Sequence, residues 1–203
     1  MTEKQIDKAP KEWKNPFFVK PIFSTSDGFK KWLKRLHNPD EHYAEGGKSW
    51  KPELRRAHNL TSVWSCEAFV ALSNSMKTTL ADKQSDKQEE LPEYVYKRLA
   101  LIAGVVVHGK YHEENNDLVG LTLKAKDKDR AALSEQRFRR LMSLDDENAL
   151  DEIFLEWKRV TTMFKDSISL PQLADILYYW TDRYQGDKVR ANLAYFYYGN
   201  DSK

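Results

Sequence analysis

A single cysteine, Cys66, stands among the 203 residues. One thiol excludes an internal disulfide, and without cysteine pairs there is no zinc ribbon. In its helical stretch Cys66 is expected as a small buried apolar residue. Glycine (8) and proline (7) are scarce, and no proline falls between Pro92 and Pro171. An all-β chain punctuated by frequent turns is therefore disfavoured. Long apolar runs are missing too. The longest, Leu99 to Val107, has nine residues, against roughly 20 for a membrane helix. The opening MTEKQIDKAPKEWK is charged from its third residue and lacks the apolar stretch of a secretory signal. A soluble, cytoplasmic protein without membrane contact is expected.

An excess of one charge sign is also missing. Lys and Arg number 33 against 31 Asp and Glu, so the chain is no uniformly basic nucleic-acid coat. The balance is uneven along the sequence. Residues 1–60 are net +5, residues 61–120 net −3, and residues 121–203 neutral. Polyanion contact, if made, falls to local patches, and acidic faces are left for water or protein partners.

What is present is helical periodicity. Ser26 is a good N-cap for Phe29, Trp32, Leu33 and Leu36 at i, i+3, i+4 and i+7, with Lys30, Lys31, Lys34 and Arg35 on the other face. Asn38-Pro39 and Gly46-Gly47 mark a loop, and Pro52 suits the first turn of a short helix carrying Leu54, Arg55 and Arg56. Trp64, Ala68, Phe69 and Leu72 form one stripe. Residues 77–90 read as a helix end and an exposed loop. Pro92 opens the most apolar helix, fit for the middle of a bundle, and KYHEENND after it is a hydrophilic connection. Residues 120–126 are a short helix or a turn. Ser134 caps a helix with Phe138 and Leu141, and Asp145 or Asp146 caps the next. Ser169-Leu170-Pro171-Gln172 reads as a capping box. Gly186 breaks the chain before a last helix. The expected fold is all-α, two small helical bundles packed in tandem. Residues 1–23 form an extension, 24–115 an N-terminal subdomain and 116–203 a C-terminal one.

Catalytic constellations are not found. There is no glycine-rich phosphate loop, GxSxG or HExxH, and no Arg-x4–6-His pair of the kind used by helical ribonucleases. His108 and His112 are four apart, but Gly109 interrupts the helix and no third ligand is fixed. Asp145-Asp146 and Asp151-Glu152 read as helix-start charge. Trp157, Trp180 and Phe196, spaced with aliphatics, read as core. No enzyme, cofactor or metal is expected. The stronger signal is basic: Lys30/Lys31/Lys34/Arg35, Arg55/Arg56, Lys124 to Arg130 with Arg137/Arg139/Arg140 beyond, and Lys188/Arg190. Such clusters bind phosphate without a motif.

In order, SEQRFRRLM, a helix, ISLPQLADILYYW and KVRANLAYFYY resemble the CasB small-subunit family of the type I-E CRISPR Cascade complex. Glu135, Arg137, Phe138 and Leu141 match its first motif. Ile168, Leu173, Asp175, Leu177 and Trp180 match the second, and Val189, Arg190 and Phe196 the third. Ser169-Leu170 replaces the family's Asp-Trp, and Gln136 stands where Arg is frequent. Phe29, Leu33 and Leu36, then Leu54-Arg55-Arg56, then RLALIAGVVVHGK, are similar to its N-terminal half. The likeness runs over residues 26–198. It implies two helical subdomains, no catalysis, a second copy head to tail, and contact with the backbone and large subunits. It further implies a basic surface holding guide RNA and target DNA, including the displaced strand. Lys30, Lys31, Arg55, Arg56, Lys124, Lys126, Arg137, Arg140, Lys188 and Arg190 are the expected contacts. A helical protein-interaction adaptor without nucleic-acid contact is the alternative.

Overall fold

The computed structural model describes residues 19–38, 47–80, 90–115, 118–124, 126–127 and 130–199. Ten α-helices follow one another among them: α1 (Asp27–His37), α2 (Gly47–Arg56), α3 (Leu60–Trp64), α4 (Glu67–Leu80), α5 (Glu93–Val106), α6 (Val119–Lys124), α7 (Glu135–Met142), α8 (Leu150–Met163), α9 (Leu170–Tyr179) and α10 (Gly186–Tyr198). Between α6 and α7, Lys126–Asp127 (β1) pairs antiparallel with Arg130–Ala131 (β2). The fold is all-α.

Local sequence explains some of the helix starts. The Ser26 hydroxyl accepts from the Phe29 N–H and caps α1, which buries Phe29, Trp32, Leu33 and Leu36. Asn59 caps α3 reciprocally with Ser62, and Asp146 caps a single 3-10 turn, Glu147–Ala149, leading into α8. Five expectations need correction. Ser134 stands at the N-cap of α7, but its hydroxyl makes no capping hydrogen bond. Pro52 lies inside α2, which starts at Gly47; burial of Trp50 and Leu54 holds the helix together a turn earlier. The stripe from Trp64 to Leu72 is split between α3 and α4, because the chain turns at Ser65-Cys66, where Cys66 N donates to Val63 O. Trp64 is left 38% exposed and Cys66 is buried. Ser169 precedes α9 but forms no capping box: its hydroxyl donates to Asn115 O, 2.9 Å away. Gly186 is the first residue of α10 and not a separator. The helix end expected within residues 77–90 is present, α4 running to Leu80, and residues 81–89, where the loop is expected, lie outside the described residues.

α5 occupies the centre and packs against α2, α3, α4, α8 and α9. Ten of its residues are buried, including every one from Arg98 to Val106, as its apolar stretch from Leu99 requires. Gly104 sits where α5 meets α8: a Cβ there would lie 2.6 Å from Phe154 Cε2 and 3.0 Å from Val63 Cγ2. Close approach compensates the roughly 1 kcal/mol that glycine costs inside a helix. One cluster of buried residues runs from Phe23 through α5 to Tyr197, so α5 touches both halves of the sequence. Trp157 and Trp180 meet edge to face at 5.1 Å.

The chain enters this body through residues 19–24. The Asp175 carboxylate on α9 accepts from the N–H of Ile22 and Phe23, both at 2.7 Å, and from the N–H of Ser24 at 3.1 Å. Phe23 is fully buried against Phe29 and Tyr178. Residues 1–18 of the expected extension lie outside the described residues. No described helix is long and apolar enough to cross a membrane.

Candidate nucleic-acid interface

The ten expected contacts are spread over α1, α2, α6, β1, α7 and α10. Lys30 and Lys31 lie on α1, half-buried and exposed respectively. Lys124 ends α6 half-buried; Lys126 belongs to β1, and its side chain is outside the described residues. Lys188 is exposed in the first turn of α10. Arg190 turns inward, its side chain only 13% exposed. It donates to Trp180 O at 2.5 Å and pairs with Asp187 at 2.5 Å and Asp145 at 3.7 Å. Its charge ties α10 to the end of α9.

Arg55 and Arg56 end α2, exposed. Cations suit a helix C-terminus on dipole grounds alone, but here others join them. Arg55 Nε donates to Val107 O at 3.4 Å, at the end of α5. Lys158 of α8 donates to Ala57 O at 3.1 Å, just past α2. Two helices, α2 and α8, therefore deliver cations to one place beside the end of α5. Burial, then Arg55 and Lys110, pull Lys51 below its ordinary value. Burial, then Lys51 and Arg55, hold the His37 imidazole down at about 3. Burial, then Lys158 and Arg55, bring His108 to about 4. Both rings are neutral at physiological pH. Lys110 is paired with Asp166 at 2.5 Å, whereas no carboxylate among the described residues pairs with Lys51, Arg55 or Arg56. Among the described residues the junction concentrates positive charge.

A second basic surface lies along α7 and α8. Arg137, Arg140, Lys158 and Arg159 rim a groove of about 680 Å³. Glu156 accepts from Arg159 at 2.6 Å and pairs with Arg140 at 3.0 Å. Glu135 is taken by Arg139 at 2.6 Å, one turn away, so Arg137 has no ion pair among the described residues. Lys158 lies between the two surfaces.

Sequence reasoning missed Lys51, Lys110, Lys158 and Arg159. Lys51 was within reach, four residues before Arg55 and hence on the same helix face. The others meet their neighbours only through tertiary packing. Among the described residues no group of three or more His, Cys, Asp or Glu is placed to hold a metal. His112 takes part through space, as one of the weaker charges acting on His37.

No curated protein and no solved structure matches the chain. The family model described as CRISPR-associated protein Cse2 matches residues 51–198, from α2 to the end of α10. The chain therefore belongs to the Cse2 family of CRISPR-associated proteins, the small subunits of Cascade.

Proposed function

We propose that this chain is a non-catalytic small subunit that steadies guide RNA, target DNA and the displaced strand inside a CRISPR surveillance complex. The observation that carries the reading is the junction of α2, the end of α5 and α8. There Lys51, Arg55 and Arg56 face no pairing carboxylate among the described residues, with Lys110 and Lys158 close by. Phosphate contact at such a surface displaces condensed counterions, which favours binding without any base being read. The neutral His37 and His108 beneath it keep their rings out of that charge sum.

The test is retention of single-stranded DNA by the assembled complex across a salt series. Each cation that contacts a single strand adds about 0.7 to the slope of log affinity against log salt. Replacing Lys51, Arg55 and Arg56 together by Ala is expected to flatten the slope by roughly 2. An unchanged slope removes the junction from the binding surface and favours an adaptor that touches protein alone.

A further inference from the structure

The groove between α7 and α8 has a floor as well as a rim. Leu155 is 40% and Met163 48% exposed, and Val160 lies between them on the same wall. Leu155 and Met163 are eight residues apart on α8, about 12 Å along the axis. Arg137 Nη1 lies 3.6 Å from Met163 Sδ, so the guanidinium leans over the apolar floor. On the rim, Glu156 is the single acid among the described lining residues, shared by Arg140 and Arg159.

A nucleic-acid strand would use only half of this surface. Phosphates need the cations, but bases pack on aromatic rings, and none lines the groove among the described residues. An apolar floor under a cationic rim is the complement of a helix with apolar side chains on one stripe and carboxylates beside them. The 12 Å between Leu155 and Met163 matches anchors roughly two turns apart on such a helix. The unbranched Met163 thioether can adapt to what it meets.

We infer that the α7–α8 groove docks an acidic amphipathic helix from another subunit of the assembly. Its apolar stripe lies on Leu155 and Met163, and its carboxylates meet Arg137, Arg140 and Arg159. This surface adjoins the junction of α2, α5 and α8 at Lys158 but takes a different class of partner. It rests on the proposed function only in requiring that the chain works within a complex.

The experiment uses the complex assembled with its partner subunits and guide RNA, with a photoreactive phenylalanine analogue in place of Leu155 or of Met163. Cross-linking to a peptide of another subunit, rich in Asp or Glu beside apolar residues, is the expected result. Cross-links only to RNA, only to a second copy of this chain, or to nothing at either position overturn the inference. A second measurement separates apolar docking from charge alone. Leu155→Asn with Met163→Gln keeps every charge and changes two half-exposed side chains, so melting curves should stay in place. Retention of this chain in the complex is expected to fall about tenfold. Unchanged retention in that variant, with loss only in Arg137→Glu/Arg140→Glu, means a purely electrostatic contact and overturns the inference. Failure of the wild-type chain to join the complex overturns the proposed function itself and is distinguishable from both results.

Discussion

Arg55 and Arg190 look alike in the sequence, each in a short basic cluster at one end of a helix. At the start of α10, Arg190 is nearly enclosed and its guanidinium is divided among Trp180 O, Asp187 and Asp145. At the end of α2, Arg55 is exposed, holds one carbonyl, and stands near Lys51, Lys110 and Lys158. The first charge is neutralised inside the molecule and holds elements together. The second is left for solvent or a ligand. Arg98 extends the inward class: 7% exposed, it lies between the Tyr94 and Tyr178 rings and pairs with Asp182 at 3.1 Å.

The sharpest test of the inward class removes the acid. Burial works against the Asp182 carboxylate, but the N–H groups of Tyr184 and Gln185 and the Arg98 guanidinium outweigh it and hold the carboxyl below its ordinary value. Asp182→Ala strands Arg98 in the interior, at a cost of roughly 3–5 kcal/mol. The melting temperature should drop by about 6–20 °C, with the salt slope of DNA retention unmoved. Arg190→Met comes next, at about 2 kcal/mol from the lost hydrogen bond and partly enclosed pair. It too should leave the salt slope alone; a flattened slope would move Arg190 into the outward class.

The outward class is tested by the opposite pattern. The Lys51, Arg55 and Arg56 triple variant should lose about 2 from the slope while its melting curve stays in place or rises, because like charges are being removed. A fall of several degrees would show that these cations hold the fold as Arg190 does.

Acid gives a smaller effect that reads the charge density of the junction. His37 and His108 are held at about 3 and about 4 in the fold, below the ordinary value of about 6.5 in an unfolded chain. Their neutral forms stabilise the fold above pH 6.5, and that contribution drains away as pH falls toward 4. Each costs up to about 1.4 kcal/mol per pH unit in that window. Melting temperature should decline between pH 6.5 and 5, and His37→Leu should flatten the decline. The contribution of Asp182 is intact across this window and is lost only below the ordinary carboxylate value, so the decline between pH 6.5 and 5 does not report it. The smallest effect belongs to Lys30→Ala/Lys31→Ala, on the outer side of α1. Stability should change by under about 0.5 kcal/mol, and a slope change near 1 would add α1 to the binding surface.

Periodicity made the helices and much of the core legible. Phe29, Trp32, Leu33 and Leu36 repeat at the helical interval and are buried together. The largely apolar α5 announced its central place. Errors had two sources: a distant partner, as where the Ser169 hydroxyl chose Asn115 O over its own helix, and a local bend, as at Cys66, beside which Trp64 is left exposed.

The sequence by itself determined an all-α chain, and the residues at 135–141, 168–180 and 189–196 were enough to place it in its family. Those features depend on neighbours a few positions apart, where helix geometry alone decides who meets whom. Which cations remain free was decided by tertiary structure. Arg190 meets Asp145 across 45 positions and Lys158 reaches Ala57 across 101. A charge keeps its field only if folding brings no opposite charge to it, and that pairing is set by how α2, α5 and α8 pack, not by composition.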